Sequence, residues 1–489
     1  MESEQPAAVS ETHIGVVFFV GDLAYKLKKP VRTGFLDFRD RAEREAACHR
    51  ETELNRRFSP DVYLGVADIS GPDGRPCDHL VVMRRMPAER RLSALVRTGA
   101  SVTDALGEVA RRLAAWHATA PRGPEISAEG RSDALRGRWT ASFSDVRAFH
   151  GTVLDAAIAT EIEHLALRFL DGREALFDRR VREGRIVDGH GDLIADDVFC
   201  LDDGPRILDC LEFDDRLRWL DGLDDAAFLA MDLERLSRDD LARDFLDRYA
   251  GHAGDPAPAS LRHHYLAYRA FVRVKVACLR AAQGAPQAAD DARRLARLAL
   301  RHLRAGAVTL VLTGGLPGTG KTSLAGALAD RLGWTVLSSD RVRKELAGIP
   351  PEKPAAAPYG AGIYDAGSTE RTYAELLDRA ETLLGEGESV IIDASWTARE
   401  HQDAAAALAE RAHADLAALR CSVPAGTAAD RIRTRTRGAS DADRAIADAM
   451  ASDADPWPAA HVIDTGGPVA ESLAQALRVV RPHLPASPP

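Results

Sequence analysis

The residues with the most specific chemical pattern form a glycine-rich run directly after an apolar segment. The segment 308–312 leads into a run that fits G-x-x-x-x-G-K-[ST] from Gly315 to Thr322 without a mismatch. Glycines let the backbone wrap inward, so that successive N–H groups point at phosphate oxygens. Lys321 is then placed to reach the terminal phosphates of a nucleoside triphosphate, and the Thr322 hydroxyl to ligand Mg²⁺. The predicted nucleotide-binding residues are Gly315, Leu316, Pro317, Gly318, Thr319, Gly320, Lys321, Thr322 and Ser323.

The neighbouring elements suit such a phosphate loop. Leu324, Leu328 and Leu332 recur at helical spacing after it, and Gly333 is a helix stop. Apolar strands alternate with helical segments from there to the end of the chain, which predicts a parallel sheet with helices on both faces. The predicted strands are 308–313, 335–339, 389–393, 416–423 and 462–464. Ligands of such a sheet bind at the carboxyl ends of its strands.

Polar side chains follow two of these strands. Asp393 ends the apolar strand Val390–Asp393 and suits the position of a phosphate-loop site that holds Mg²⁺ indirectly, with a plain strand-end carboxylate as the alternative. Asp340 directly follows 335–339, and Arg343 comes three residues later. This pattern resembles the P-loop kinases related to the phage polynucleotide kinase and zeta-toxin groups. The resemblance implies that Asp340 is the base towards an acceptor hydroxyl and that Arg343 clamps the substrate or a phosphate. A helix N-cap role for Asp340 is the alternative, and the two roles are compatible.

An arginine-rich segment, ADRIRTRTRGASDAD, lies where such kinases carry a lid. Arginine in a lid neutralises charge that develops on the transferred phosphoryl group. Arg431 and Arg435 are one helical turn apart and are the two candidates. A solvated basic helix is the competing interpretation.

A second group of residues with phosphoryl-transfer chemistry lies in the first half of the chain. His190-Gly191-Asp192 precedes two apolar runs joined by Asp202-Asp203-Gly204, which predicts a hairpin. The hairpin would bring Asp192 and Asp209 close together at its open end. Two neighbouring carboxylates suit phosphoryl transfer, because one accepts the proton of the attacking hydroxyl and the other holds Mg²⁺ on the phosphates.

This segment resembles the catalytic core of the aminoglycoside phosphotransferase family, whose fold is similar to that of protein kinases. The resemblance implies that Asp192 is the catalytic base and that Asp209 is a metal ligand. The family usually has asparagine five residues after the base as a further metal ligand, and Asp197 takes that position here. Aspartate still ligands Mg²⁺ and adds a charge. Asp196 competes for the same role.

A lysine and a glutamate further upstream agree with this resemblance. Lys26 lies in the second strand of a hairpin that turns at Gly21-Asp22, where the family keeps the lysine for the α- and β-phosphates. Lys28 shares its face by strand alternation, but Lys26 has alanine two positions earlier, as in the V-A-I-K pattern. Glu51 of the helix predicted over 39–57 is the preferred carboxylate partner. The alternatives are Glu43, Glu45 and Glu53. No G-x-G-x-x-G loop is present, which is usual for this family.

Length and composition limit the class of protein. The chain has 489 residues, so several domains are expected, and we predict an α/β multidomain protein. Residues 1–304 would form the kinase-like part, with a small lobe over about 1–100 and a helical lobe over about 101–304. Residues 305–489 would form the P-loop domain. Six scattered cysteines without a C-x-x-C pair argue against structural zinc and favour reduced thiols in the cytoplasm.

The net charge of −10 disfavours general nucleic-acid binding and would suit a cationic small substrate, although solvation is the commoner reason for an acidic surface. No secretory signal and no membrane-spanning run is expected. The order of the two parts resembles bacterial proteins described as bifunctional aminoglycoside phosphotransferase/ATP-binding proteins. The resulting hypothesis is a phosphotransferase that uses ATP and Mg²⁺ at two sites, with small-molecule hydroxyls as acceptors. The alternatives are one P-loop kinase controlled by a silent first lobe, and an ATP-driven switch that transfers phosphate only to water. Trp396, Arg399, Tyr364, Arg269 and Arg273 are candidates for lining the pockets or for packing.

Overall fold

The computed structural model describes residues 8–11, 15–32, 37–350, 353, 360–434 and 444–482. The chain divides into two compact units. The first contains 1–159, 178–257 and 265–299, and the second contains 160–177, 258–264 and 300–489. None of the helices in the described part combines the length and apolarity that a membrane span requires.

The first unit begins with a five-stranded antiparallel sheet of order β1-β2-β3-β5-β4. Its strands are β1 (Ala8–Glu11), β2 (Gly15–Val20), β3 (Leu23–Lys28), β4 (Tyr63–Ser70) and β5 (Pro76–Arg84). Helix α1 (Arg41–Arg56) comes between β3 and β4 in the chain. It starts where the Asp40 side chain accepts a hydrogen bond from the N–H of Ala42, which satisfies one free donor of the first turn. Cys48 of α1 packs with Ala24, Val62 and Val81 in the core.

Helices and two short sheets follow this first sheet along the chain. The helices are α2 (Leu92–Thr98), α3 (Thr103–Thr119), α4 (Pro124–Ala128), α5 (Ser132–Val146), α6 (Ala156–Asp171), α7 (Glu174–Arg182), α8 (Gly222–Arg235), α9 (Asp239–Ala253), α10 (Ala259–Ala282) and α11 (Ala288–Ala305). The short strands are β6 (Ile186–Asp188), β7 (Val198–Leu201), β8 (Gly204–Ile207) and β9 (Trp219–Asp221), and β6 pairs with β9 as β7 does with β8. The predicted hairpin is present, since Leu201 lies opposite Gly204 across its turn.

The second unit contains a parallel sheet of order β11-β12-β10-β13-β14. Its strands are β10 (Thr309–Gly314), β11 (Thr335–Ser338), β12 (Val390–Asp393), β13 (Asp415–Ser422) and β14 (His461–Asp464). Its helices are α12 (Lys321–Leu332), α13 (Ser339–Leu346), α14 (Ala366–Gly385), α15 (Arg399–Arg411), α16 (Ala425–Thr434), α17 (Arg444–Asp453) and α18 (Val469–Val480). Val311, Ile391 and Leu419 of the central strands are buried, as both faces of a covered parallel sheet require.

The sequence predicted the type and order of these elements well. All five strands of the parallel sheet occur where expected, and α1 occupies most of the predicted helix. Strands β1, β6 and β9 were not predicted, because runs of three or four residues show no clear alternation and these three have neither the strand–helix alternation of the parallel sheet nor the hairpin turn of β7 and β8 beside them. Helix α11 ends at Ala305, next to the predicted domain boundary. Independent folding of 1–304 and 305–489 stays a prediction.

Candidate functional site

The phosphate loop joins β10 to α12 and needs glycine at defined positions. Gly315, Gly318 and Gly320 have φ values of 137°, 81° and 88°, which side-chain-bearing residues rarely adopt. A Cβ atom at Gly315 would lie 2.9 Å from the carbonyl oxygen of Cys421, and one at Gly318 would lie 2.5 Å from that of Ala428. Conformation and close approach of backbone therefore both select glycine.

Two threonines fix this loop. The Thr319 hydroxyl donates to the carbonyl oxygen of Leu316 at 2.8 Å. The Thr465 hydroxyl donates to the carbonyl oxygen of Thr319 at 2.5 Å, and the Thr465 N–H donates to Ser422 at 3.1 Å. Thr465 was not identified from the sequence. The available signal was its position directly after β14, at the carboxyl edge of the sheet.

Lys321, Thr322 and Ser323 are the first three residues of α12. Lys321 is half-buried, and Thr322 and Ser323 are exposed. The free N–H groups and the dipole of a helix N-terminus favour an anion at this position. The predicted phosphate-binding residues therefore come together on one loop and one helix end.

Asp393 ends β12, opposite Thr313 of β10 and Ser338 of β11 in the parallel register. Its side chain is 3% exposed, and its Oδ1 has no hydrogen-bond partner among the described residues. Burial raises the pKa of Asp393, while the Lys321 charge and a hydrogen bond with Thr322 oppose the rise. A buried carboxylate oxygen without a donor is costly unless a cation or water meets it. Asp393 and Thr322 therefore fit the predicted Mg²⁺ position.

Asp340 is the second residue of α13 and is half-buried. Ser338 takes the N-cap position, so the structure does not place Asp340 there. The Asp340 charge contributes to the raised pKa of Asp393, so the two carboxylates influence each other across the ends of β11 and β12. The structure thus brings Asp340, Asp393 and Lys321 to the same edge of the sheet.

Arg343, one turn later in α13, is buried and mostly engaged within the unit. Its Nη1 donates to the carbonyl oxygen of Ile363 at 2.9 Å and to the Thr369 hydroxyl at 3.0 Å, and its guanidinium lies 5.0 Å from the Tyr364 ring centroid. Burial lowers the pKa of Arg343, against the charge of Asp340. Its Nε has no hydrogen-bond partner among the described residues. The role of Arg343 as a clamp stays a prediction.

Helix α16 carries the lid candidate that the structure describes. Arg431 Nη2 donates to the carbonyl oxygen of Thr465 at 2.8 Å. A Cβ atom at Gly320 would lie 3.3 Å from Arg431 Nη1, so this guanidinium lies beside the phosphate loop. The second candidate, Arg435, lies outside the described residues.

Aromatic side chains lie close to the start of the phosphate loop. Trp396 has a φ of 55° and is 1% exposed, and its indole Nε1 has no hydrogen-bond partner in the described part of the chain. The backbone N–H of Trp396 donates to the Tyr373 hydroxyl at 3.2 Å. A Cβ atom at Gly314 would clash with the ring of Trp457 at 2.4 Å. Of the two pocket candidates in this segment, Trp396 therefore packs in the interior of the unit, whereas the Arg399 side chain is exposed.

In the first unit, the structure brings Lys26 and Glu51 together. Lys26 Nζ donates to Glu51 Oε1 at 2.9 Å and to Asp209 Oδ1 at 2.6 Å. Lys28 Nζ donates to Glu51 Oε2 at 2.8 Å and to Glu212 at 2.5 Å. Both lysines therefore share the fully buried Glu51. Glu212 was not identified from the sequence, and no local pattern marked it.

The charges of this cluster stabilise one another. Burial by itself lowers the pKa of Lys26, but Asp209 and Glu51 outweigh it and hold that pKa well above its ordinary value. Lys26 lowers the pKa of Asp209 more than burial raises it. Asp209 has a φ of 64°, a conformation that aspartate tolerates better than most residues do. The five charged groups form one connected network.

The loop with His190-Gly191-Asp192 is fixed beside the β7–β8 hairpin. His190 Nε2 lies 3.0 Å from the carbonyl oxygen of Leu208, and the Leu211 N–H donates to the carbonyl oxygen of His190 at 3.1 Å. These contacts flank Asp209 and bring it near Asp192, as the hairpin predicted. Burial raises the pKa of Asp192, and the charge of Arg273 is the largest opposing influence.

Two neighbouring aspartates of α8 fix this loop, Asp225 directly and Asp224 through Arg269. Asp225 accepts from the N–H groups of His190 at 2.7 Å and Gly191 at 2.9 Å. Asp224 accepts from Arg269 Nε at 2.7 Å and Nη2 at 2.8 Å, and Arg269 Nη1 donates to the carbonyl oxygen of Gly191 at 3.2 Å. Asp224 and Asp225 were not identified from the sequence, because no motif spacing marks them.

Asp197 lies in a short 3₁₀ turn before β7. Burial, followed by the charges of Asp209 and Asp192, raises its pKa well above the ordinary range. Its competitor Asp196 accepts a hydrogen bond from the Ser93 hydroxyl. No group of three or more His, Cys, Asp or Glu in the described part is arranged to hold a metal ion. Mg²⁺ commonly keeps waters and phosphate oxygens with one or two carboxylates, so Asp197 and Asp209 still fit it.

Comparisons with known proteins place the whole chain in a family. It is 45% identical over 475 residues to the uncharacterized protein Rv2004c of Mycobacterium tuberculosis. The aligned region covers 97% of this chain and 95% of the relative. The chain belongs to this mycobacterial protein family. The uncharacterized protein Mb2027c of Mycobacterium bovis matches with the same identity and coverage. Residues 310–457 match the family model of an AAA domain, which confirms the predicted P-loop domain.

Solved structures of kinases resemble each part of the chain. A choline/ethanolamine kinase family protein from Mesorhizobium loti covers 62% of this chain and 94% of its own, with 16% identity and a TM-score of 0.38. The GDP and kanamycin complex of APH(2")-IIia covers 61% of this chain and 93% of its own, with 16% identity and a TM-score of 0.39. A sugar kinase from Janibacter covers 35% of this chain and 94% of its own, with 19% identity and a TM-score of 0.28.

Proposed function

We propose that the protein is an ATP- and Mg²⁺-dependent phosphotransferase with two kinase-type sites, and that its acceptors are hydroxyl groups of small molecules. One site is the phosphate loop with Asp340 and Asp393. The other is the cluster of Lys26, Glu51, Asp192, Asp197 and Asp209. The free state of all six cysteines supports a reducing compartment, so we also propose a cytoplasmic location.

One observation carries the proposal for the P-loop site. A glycine-rich cradle, a buried carboxylate with an oxygen that lacks a donor among the described residues, and a second carboxylate meet at one edge of a parallel sheet. An ATPase that transfers phosphate to water shares the first two features and also needs a residue that positions the water. The second carboxylate, Asp340, supports transfer to an alcohol, because it is available to orient a hydroxyl and accept its proton.

The chemistry at this site follows from the roles of the side chains. Lys321 and the loop N–H groups bind the phosphates, and Asp393 and Thr322 would hold Mg²⁺. When bound, Mg²⁺ neutralises phosphate charge and orients the terminal group. The acceptor oxygen forms a bond to the γ-phosphorus while the bond to the β–γ bridging oxygen breaks, and the hydroxyl proton passes to Asp340. Arg431 beside the loop supports charge neutralisation during transfer.

In the first unit, a different set of side chains supports the same reaction. Lys26, oriented by Glu51, is available for the α- and β-phosphates of ATP. Asp197 and Asp209 would hold Mg²⁺, and Asp192 would accept the acceptor proton. Asp225 and Arg269 hold the backbone on both sides of Gly191, which supports a fixed position for the base.

Mass-shift detection tests the two-site proposal. The full chain is incubated with a metabolite and antibiotic pool and isotope-labelled ATP, alongside the variants Lys321→Ala and Asp192→Asn. We expect each variant to lose one set of phosphorylated products and to keep the other. The exposed Asp403→Asn is the control and should keep both. A single P-loop kinase with a silent first unit is indicated if Asp192→Asn loses nothing, and release of free phosphate alone contradicts a phosphotransferase.

A further inference from the structure

Helix α10 presents two arginines to the Asp192 loop. Arg269 and Arg273 are one helical turn apart and therefore share a face. Arg269 Nη1 donates to the carbonyl oxygen of Gly191, the residue before Asp192, at 3.2 Å. The next turn of the same face brings Arg273 to Asp192, and its charge is the strongest influence that opposes the rise in the pKa of that carboxyl.

The two arginines differ in their partners. Arg269 is 5% exposed and forms a two-bond pair with Asp224, so its charge is compensated. Arg273 is half-buried, and no carboxylate of the described residues lies within ion-pair distance of it. The neighbouring Asp225 already binds His117 and two N–H groups. Arg273 thus places a guanidinium that has no ion pair at contact distance in the described part of the chain beside the proposed base, where Asp192 is the carboxylate that its charge influences.

We infer that the acceptor of the first site is an anionic alcohol, in which a carboxylate or phosphate ester near the reacting hydroxyl binds Arg273. This inference rests on the proposed function and names the acceptor class of that site. A guanidinium matches the geometry of carboxylate and phosphate with two parallel hydrogen bonds. An ammonium group bound beside Arg273 would meet a like charge, so this position disfavours cationic alcohols.

An anionic acceptor differs from the cationic substrate that the composition of the chain would suit. The net charge of −10 would suit a cationic substrate. The charge that faces Asp192 from α10 has the opposite sign, and local charge governs recognition more strongly than net charge does. Resemblance to aminoglycoside phosphotransferases therefore does not extend to the charge of the acceptor.

Matched acceptors test this inference on the full chain with the Lys321→Ala substitution, which removes the second site. Gluconate, sorbitol and glucamine share one hydroxyl chain and differ in charge, as do glycerate, glycerol and 3-amino-1,2-propanediol. Glycerol phosphate extends the set to phosphate esters. We expect Asp192-dependent transfer to at least one of the acids, at a rate at least ~10-fold above its neutral and cationic counterparts, as a charged hydrogen bond provides.

The variant Arg273→Gln should raise the KM for the acid at least ~10-fold while the KM for ATP stays unchanged. Arg273→Lys should restore part of the affinity. The exposed Arg280→Gln of the same helix is the control and should behave as the parent does. Preference for neutral or cationic members, no transfer to any acid, or an unchanged acceptor KM in Arg273→Gln overturns the inference. Absence of Asp192-dependent transfer to every compound, including the broad pool, contradicts the proposed function itself.

Discussion

The two candidate sites arrange their charged groups in different ways. In the first unit, Lys26, Lys28, Glu51, Asp209 and Glu212 contact one another in a buried network. In the P-loop site, the backbone of a nine-residue segment, Gly315–Ser323, forms the cradle, and Asp393 keeps an oxygen without a donor among the described residues. The first site depends on long-range ion pairs, whereas the second depends on local conformation. Substitutions should therefore harm the two sites in different ways.

The largest expected effect is on turnover at the P-loop site. Lys321→Ala and Asp340→Asn should each reduce Lys321-dependent product formation by ~10²–10⁴-fold, since general-base catalysis and phosphate binding contribute on that scale. Thermal unfolding should change little, because neither side chain is fully buried. Asp403→Asn is the control. Turnover near the parental level in Asp340→Asn would contradict the role of Asp340 as base.

In the first unit, a substitution in the ion-pair network should act on stability. Lys28→Met leaves Glu51 and Glu212 buried with one cation fewer, which should cost about 3–5 kcal/mol of unfolding free energy. Lys29→Met removes a pair with Glu11, which is 69% exposed, and should cost less than about 1 kcal/mol. Denaturant unfolding of the full chain, followed by limited proteolysis to assign the transition, measures both. Equal costs for the two lysines would contradict a network that depends on burial.

Two glycines of the P-loop domain provide a matched pair. Gly318→Ala forces a side chain into a positive φ and against the Ala428 carbonyl oxygen, so it should destabilise the loop by about 1–3 kcal/mol and weaken ATP binding. Gly326→Ala lies within α12 with nothing near its Cβ position, so it should stabilise by about 0.5–1 kcal/mol. Calorimetry of unfolding and of ATP binding checks both. ATP binding by Gly318→Ala that is as tight as binding by Gly326→Ala would contradict the need for glycine at position 318.

The smallest predicted effect is a shift in pH dependence at the first site. Burial raises the pKa of Asp192, and only the deprotonated carboxyl accepts a proton. Asp192-dependent turnover should therefore fall on acidification at a pH above the ordinary carboxyl range. Arg273→Gln removes the charge that opposes this rise, so the acid limb should move to higher pH. The rate profile measures it, with Arg280→Gln as control, and a shift to lower pH would contradict the placement of Arg273.

The extent to which the sequence predicted each site follows from the same contrast. Gly315–Ser323 was predicted because the cradle is one contiguous segment, and each position has a conformational reason visible in the sequence. Lys26 and Asp192 were found through spacing and resemblance. Arg269 and Glu212 have their partners 78 and 184 residues away, at Gly191 and Lys28, and no local pattern carries such pairings. The fold was predictable wherever strands were long enough to show their pattern.

We expect each unit to bind its own Mg-ATP. Calorimetric titration of the intact chain with ATP in Mg²⁺ buffer measures the number of sites. We expect two sites in the parent protein, loss of one in Lys321→Ala, loss of the other in Lys26→Ala and no binding in the double variant. A single site in the parent that disappears entirely with Lys321→Ala would contradict it.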